Sequence, residues 1–196
     1  MKVKRQVCVT LSGAAAFALM SVAAHAQVGS GWTSTSVSYT TQQAGCGQIS
    51  GGTFSLTCSN TSGEQRAERR YQTLSSGQRQ FEGYLRVSSM GGDRISVAQC
   101  FGSGPHSILA YKKPGTLYQV QGGATLGSLS IGSTIRVNSI IRNSGPSQAQ
   151  WYLNGSLKNT VQASGPWYNK LGAYRTSSGR GPVTVNWSSI RFWRKS

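Results

Sequence analysis

Acidic side chains are scarce in this sequence. Only 4 of its 196 residues are Asp or Glu, against 20 Lys and Arg. Because a glycoside hydrolase needs a pair of carboxyl groups around the bond it cleaves, four scattered acids disfavour that class. The acids are Glu64, Glu68, Glu82 and Asp93. With 2 His and 4 Cys, the chain also shows no ligand spacing typical of a zinc site, and no metal or cofactor is expected.

Helical patterns are missing as well. No apolar stripe with i, i+3, i+4, i+7 spacing continues for three turns. Short alternating runs rich in Val, Ile, Thr, Tyr and Phe are instead separated by Gly, Ser, Asn and Pro, which predicts an all-β sandwich or jelly roll. Residues 27–43 predict an extended lead-in or edge strand. Eleven further strands are predicted at Thr53–Thr57, Ala67–Thr73, Gln80–Ser88, Ile95–Phe101, Ser107–Lys113, Thr116–Gln121, Thr134–Arg142, Gln148–Leu153, Ser156–Gln162, Trp167–Arg175 and Pro182–Arg194.

The first 26 residues have the organisation of a secretory signal peptide. Three of the first five residues are basic, an apolar run follows, and Ala24-His25-Ala26 matches a cleavage site. The sequence therefore predicts a signal at 1–26 and one secreted domain at 27–196, extracellular or periplasmic. No later apolar segment is long enough to span a bilayer, so no membrane partner is expected.

The mature domain is strongly basic. Without the three basic residues of the leader, 17 basic residues face 4 acidic ones, a formal charge of +13. Such a field favours polyanions, which for an exported protein are acidic polysaccharides, cell-surface polyanions or released nucleic acid. The alternative is a basic surface without a particular partner. Since the basic residues are dispersed and no nucleic-acid-binding motif is present, nucleic acid is not the expected partner, despite five tryptophans. A monomer is expected.

Three cysteines remain in the mature domain. Cys46 and Cys58 flank Gly51-Gly52 in a segment that predicts a hairpin, and export implies an oxidising compartment. These two cysteines are the expected disulfide. Cys100 would then be a small buried apolar side chain.

Three short stretches carry candidate functional side chains. In a strand, Arg66, Glu68 and Arg70 share one face, so the two guanidiniums should hold the carboxyl ionised. The group is either a site where an arginine binds a substrate carboxylate or an exposed ion-pair ladder on the surface. In the strand 95–101, Gln99 shares a face with Ile95, Val97 and Phe101, and is either a structural hydrogen bonder or a ligand contact.

The third stretch is Trp167–Arg175. Period-two alternation places Tyr168, Lys170, Gly172 and Tyr174 on one face, with Leu171 and Ala173 on the apolar one. The glycine would leave a gap for close approach to the backbone. By itself, Tyr174 is either an acid–base group supported by nearby cations or a packed aromatic side chain.

In order and spacing, these stretches resemble polysaccharide lyase family 7, the alginate-lyase type, with glucuronan lyases as relatives in fold. The family pattern R-x-E-x-R is complete at 66–70. The pattern Y-F-K-x-G-x-Y is present at 168–174 with Asn169 in place of Phe. In the Q-[IV]-H pattern, Gln99 is present and Phe101 replaces the histidine.

This resemblance implies a jelly roll, a concanavalin A-like sandwich of two antiparallel sheets, that binds an acidic polysaccharide. It implies β-elimination at a 4-linked uronate without a metal or cofactor. By the resemblance, Gln99 with Arg70 or Arg66 would neutralise the substrate carboxylate. Tyr174 would protonate the leaving oxygen, Lys170 and Tyr168 would line the cleft, and Glu68 would hold the arginines.

The departure at Phe101 predicts the stereochemistry. Without the histidine, Tyr174 must act as both base and acid, which requires the proton and leaving group on one face of the sugar. We therefore expect syn-elimination on poly-mannuronate or glucuronan. His106 either reaches the cleft from its loop and replaces the base, or is a solvated loop residue. The alternative function is a non-catalytic acidic-polysaccharide-binding lectin on the same fold.

Overall fold

A computed structural model describes residues 27–59, 62–103, 107–175 and 181–196. The predicted signal peptide and His106 lie outside the described residues. The described parts of the chain form fifteen β-strands in two antiparallel sheets, which confirms the predicted sandwich. None of these parts forms a helix with the length and apolarity needed to cross a membrane.

The first sheet has the strand order β13-β12-β11-β6-β15-β4-β3, and β1 pairs with β15. Its strands are β1 (Thr33–Thr35), β3 (Gly47–Ser50), β4 (Thr53–Leu56), β6 (Gln78–Met90), β11 (Thr134–Arg142), β12 (Gln148–Leu153), β13 (Ser156–Gln162) and β15 (Val183–Lys195).

The second sheet has the strand order β10-β9-β8-β7-β14-β5-β2. Its strands are β2 (Tyr39–Ala44), β5 (Arg66–Tyr71), β7 (Arg94–Phe101), β8 (Ser107–Lys112), β9 (Thr116–Gln119), β10 (Thr125–Ser128) and β14 (Tyr168–Tyr174). All eleven predicted strands are present within a few residues. The structure adds β3 and β10, and it places β1 and most of β2 in the segment expected to be a lead-in or edge strand.

The hydrophobic core lies between the two sheets and contains most of the tryptophans. Trp151, Trp167 and Trp187 are each at most 2% exposed. Their indole N–H groups donate to Ser107 Oγ at 2.7 Å, Ser147 Oγ at 2.8 Å and the Val97 carbonyl at 3.1 Å. Buried indoles with satisfied donors are structural. These three are therefore unavailable to stack on nucleic-acid bases.

The predicted disulfide is present. Cys46 and Cys58 are bonded across the β3–β4 hairpin, whose turn is at Gly51-Gly52. Cys100 is a free thiol with no exposed surface, as expected, and burial raises its pKa to about 12. A thiol that remains protonated is a poor nucleophile.

Candidate active site

The three candidate motifs lie on adjacent strands of the second sheet, in the order β7, β14, β5. Lys170 on the central strand pairs with Gln99 on one side and with Arg70 on the other. Tyr174 pairs with Arg66. Residues separated by 71 to 108 positions in the chain are therefore direct neighbours across a ladder.

Glu68 is the centre of a cluster that it forms with Arg66, Gln99 and Lys170, here called the Glu68 cluster. Its side chain is 2% exposed, and its Oε1 accepts a hydrogen bond from Gln99 Nε2 at 2.6 Å. Its Oε2 lies 3.6 Å from Arg66 Nε and 3.7 Å from Lys170 Nζ. Gln99 and Lys170 are also buried, at 2% and 5% exposure. The cluster is thus a compact charged group at the base of the polar face.

Burial governs the protonation equilibria of this cluster. Loss of hydration raises the pKa of Glu68 above its usual 4.5, and Lys170, Arg66 and Gln99 offset part of that rise. Loss of hydration likewise lowers the pKa of Lys170, which Glu68 partly offsets. The predicted effect of two flanking arginines on the pKa of Glu68 is corrected in two respects. The net shift has the opposite direction, and the guanidinium in contact is that of Arg66.

Arg66 connects the carboxyl cluster to Tyr174. Its guanidinium carbon lies 5.1 Å from the centre of the Tyr174 ring. The same side chain pairs with Glu64 and donates to Gln42 Oε1 at 3.5 Å. Arg66 is therefore fixed from several sides, and its guanidinium lies over the Tyr174 ring.

Arg70 belongs to a different group, on the far side of Lys170. Its guanidinium lies 4.1 Å from the centre of the Tyr168 ring, and its Nη2 donates to Thr73 Oγ1 at 3.4 Å. Tyr168 stacks on Phe101 with ring centres 5.1 Å apart and planes at 29°. Lys170 Nζ lies 5.2 Å from the Phe101 ring centre. Glu68 thus does not orient both arginines: π contacts orient Arg70.

Gly172 does not leave the gap expected beside the cleft. A Cβ at this position would lie 2.1 Å from the Ala67 carbonyl oxygen and 2.8 Å from Glu68 Cα. The residue has φ of +146° at a register shift between β14 and β7. The space above its backbone is therefore filled by β5, which explains the glycine as a close strand–strand contact.

The opposite face of β14 is in the core, as predicted for Leu171 and Ala173. Asn169 shares that face and is 1% exposed. Its amide donates to Ser139 Oγ at 3.0 Å and contacts Cys100 Sγ at 3.6 Å. The asparagine that replaces the family's phenylalanine is therefore a buried structural residue away from the cleft.

Strand β7 departs from strict alternation. A register shift between Ser96 and Ala98 places Ile95 and Val97 in the core, while Gln99 and Phe101 contact the polar cluster. The predicted shared face of four residues is therefore wrong for the first two. The bulge changes which side chains alternate, and a period-two pattern cannot anticipate it.

Two contacts of the site were missed in the sequence. Gln42 lies on β2, which the sequence left as a lead-in or edge strand, and Glu64 precedes β5. Residues 39–44 read YTTQQA, without apolar–polar alternation, so the sequence offered no signal for the former. No cluster of three or more His, Cys, Asp or Glu side chains suited to a metal occurs among the described residues.

Two cavities lined by described residues lie at the rim of the sandwich, away from the Glu68 cluster. One of about 950 Å³ is at the strand ends near Ser75 and Lys195. The other, of about 530 Å³, lies between Tyr39 and Phe192. The Glu68 cluster belongs to neither, so the chemistry of the candidate site rests on a sheet face.

Solved structures share this arrangement of sheets. The alginate lyase PA1167 from Pseudomonas aeruginosa is 17% identical, with a TM-score of 0.58 over 79% of this chain and 88% of that one. The chain has an alginate-lyase fold. Alginate lyase AlgAT5 from polysaccharide lyase family 7 is 19% identical, with a TM-score of 0.57 over 71% of this chain and 76% of that one.

The alginate-lyase fold also matches part of a longer protein. A sialidase is 11% identical with a TM-score of 0.56, over 79% of this chain and 16% of the sialidase. No protein-family model and no curated protein sequence matches this chain. At these identities, the likeness establishes the fold, and the function has to be argued from the site.

Proposed function

We propose that this protein is a secreted polysaccharide lyase that cleaves a 4-linked uronate polymer by β-elimination. One observation carries the proposal: the Arg66 guanidinium lies between the buried Glu68 carboxyl, at 3.6 Å, and the Tyr174 ring, at 5.1 Å. Uronate elimination requires an acid–base group and positive charge close together. Here the phenol lies beside the fixed Arg66 guanidinium, and the Lys170 ammonium lies 3.7 Å from the same Glu68 carboxyl. The alginate-lyase fold supports the same assignment.

The first requirement is to neutralise the substrate carboxylate, because its negative charge suppresses loss of the adjacent C5 proton. Arg66, Arg70 and Lys170 supply three positive charges on this face, and Glu68 is the acid among them. An amide nitrogen carries two hydrogens. Gln99 uses one on Glu68 and would offer the other to the substrate carboxylate.

The second requirement is proton transfer. In the proposed reaction, Tyr174 as phenolate removes the C5 proton, and the electron pair of that C–H bond forms the C4–C5 double bond. The C4–O bond breaks, and Tyr174 returns the proton to the departing glycosidic oxygen. The products are a reducing end and an unsaturated uronate.

The position of Phe101 favours a single acid–base group. Its ring is stacked on Tyr168 and covered by Lys170, so it contributes packing where the family histidine would contribute a base. One group can serve both steps when proton and leaving group lie on the same face of the sugar. That geometry occurs in mannuronate and glucuronate, so we propose poly-mannuronate or glucuronan as the substrate, with poly-guluronate excluded.

The test is a comparison of Tyr174→Phe with the parent on a panel of defined uronate polymers, read by ultraviolet absorbance of the unsaturated product. We expect the variant to lose about 10²- to 10⁴-fold in kcat and to keep its polymer affinity. Tyr118→Phe, at a half-buried tyrosine of β9 in the same sheet, is the matched control. Parent-like turnover by Tyr174→Phe would contradict the proposed role.

The second candidate function is a non-catalytic lectin for the same polymers. The Phe101–Tyr168 stack favours it, because an aromatic pair at the histidine position binds sugar without a base. The likeness to one segment of a sialidase is also compatible with a binding module. If the parent binds uronate polymers but forms no unsaturated product from any of them, the lectin is the correct function.

A further inference from the structure

A second cavity faces away from the candidate cleft. It has a volume of about 530 Å³ and lies at the edge of the sandwich, where β2 and β5 approach β15. On β5, Arg69 and Tyr71 line this cavity, whereas Glu68 and Arg70 lie on the face of the candidate site. The alternation of one strand therefore serves two surfaces. The cavity is lined by Ser34, Thr35, Ser36, Val37, Tyr39, Arg69, Tyr71, Ile190, Arg191 and Phe192.

Aromatic rings form one side of the cavity. Tyr39 is 48% exposed, and its ring centre lies 5.5 Å from that of Tyr71. Tyr71 in turn contacts Phe192 at 4.7 Å. The inner two rings are buried and fix the position of the outer one. An exposed ring held by packing offers a rigid surface to the C–H face of a sugar, at a small cost in conformational entropy.

The charged side chains of the cavity have one sign. The Arg69 guanidinium lies 4.5 Å from the Tyr39 ring centre and donates to the Gly51 carbonyl, while its Nε is buried without a hydrogen-bond partner. Arg191 is exposed at the rim. None of the ten lining residues, all of them described, is acidic. The cavity is therefore suited to an anion with an apolar face.

Hydroxyl groups complete the lining. Ser34, Thr35 and Ser36 contribute them from the segment around β1. The Tyr71 hydroxyl interacts with Arg69, and burial raises the pKa of this phenol to about 12. It therefore remains protonated at neutral pH and can donate to a sugar oxygen. A volume of about 530 Å³ falls in the range typical of small-ligand sites, roughly 300–1,000 Å³.

We propose that this cavity is a second binding subsite for the polymer, occupied by a hexuronate unit outside the cleft. Its ring would stack on Tyr39, and its carboxylate would bind Arg69 and Arg191. β2 is the edge strand beside β5, so a polymer that leaves the cleft across this edge passes Tyr39. The choice of a uronate rests on the proposed function. The subsite would increase the affinity of the enzyme for long chains.

The experiment measures binding in the Tyr174→Phe background, where the polymer is not cleaved. Dissociation constants for long poly-mannuronate and glucuronan are measured by calorimetry. The parent in this experiment is the Tyr174→Phe protein, and it is compared with the same protein carrying Tyr39→Ala or Arg191→Ala. The matched controls are Leu157→Ala, at an apolar side chain that is 51% exposed, and Arg86→Ala, an exposed arginine of β6. Arg86→Ala removes the same charge as Arg191→Ala, so it corrects for the general basic field.

We expect Tyr39→Ala and Arg191→Ala each to raise the dissociation constant of the polymer by about tenfold, the size typical of an important interface contact. The dissociation constants of the control variants should stay within about twofold of the parent value. For a dimannuronate held in the cleft, all variants should bind alike. If the test variants bind the long polymer as their controls do, the subsite is wrong and the proposed function stands. If the parent binds no uronate polymer, both proposals fail together.

Discussion

Replacing Phe101 by histidine tests the link between this position and the reaction stereochemistry. The phenyl ring stacks on Tyr168 at 5.1 Å and receives the Lys170 ammonium at 5.2 Å. Such a stack contributes about 0.5–1.5 kcal/mol. The cation–π contact contributes about 0.5–1 kcal/mol. Because an imidazole retains part of both, we expect Phe101→His to lower the free energy of unfolding by only about 0.5–1 kcal/mol.

The same change should create a base. Lys170 would lie beside the new imidazole and disfavour its protonated form, so the histidine pKa should fall below its ordinary 6.5 or so and leave the ring neutral at neutral pH. A neutral imidazole can remove the C5 proton from the face opposite to the leaving group. We expect turnover of poly-guluronate to rise by about 10²-fold, since general-base catalysis contributes about that much or more.

Phe101→Leu is the matched variant, because it removes the ring without adding a base. Denaturant unfolding should show a loss of stability in both variants, larger for Phe101→Leu, which keeps neither ring contact. Only the histidine variant should gain poly-guluronate cleavage, read by absorbance of the unsaturated product. A histidine variant no more active on poly-guluronate than the leucine variant would refute the stereochemical argument. Unchanged unfolding of Phe101→Leu would refute the energetic role of the stack.

Two further predictions concern stability. Gly172→Ala should lower the unfolding free energy by about 3 kcal/mol or more, because its Cβ would meet the β5 backbone at 2.1 Å; Gly123→Ala, at φ +70° with open space, should cost only about 1 kcal/mol in the same urea titration. Cys100 should make stability fall with rising pH, since the unfolded thiol, with a pKa of 9.0, loses its proton before the folded one, with a pKa of about 12. We expect a loss of about 1 kcal/mol between about pH 8 and about pH 10, absent in Cys100→Ala; equal pH slopes in the two proteins would contradict it.

The buried charges have a shared consequence for the proposed chemistry. Burial raises the pKa of Glu68 and lowers that of Lys170, so both groups are less firmly charged than in water. A substrate carboxylate that arrives beside Lys170 and Arg66 would favour the ammonium form again. Binding of an anion therefore improves the electrostatics of a site that is costly to maintain when empty.

Much of the fold follows from local information in the sequence. Alternation of apolar and polar residues predicted the eleven strands, because side-chain direction in a strand depends only on backbone geometry. The Gly51-Gly52 pair located one hairpin. The Cys46–Cys58 bond was predictable for the same reason, as both cysteines flank one hairpin. Alternation also placed Arg66 with Glu68, and Lys170 with Tyr174, on the polar face.

Tertiary structure alone decided how these side chains meet. Lys170 contacts Glu68 because β14 pairs with β5 in one particular register. In that register Arg70 is paired with Lys170, and its guanidinium stacks on Tyr168 rather than contacting the Glu68 carboxyl. Bulges in β7 and β14 changed the faces of Ile95, Val97 and Gly172. The direction of the Glu68 pKa shift depends on burial, which arises only when the sheet packs. Register, bulges and burial are properties of paired strands, so no single stretch of sequence contains them.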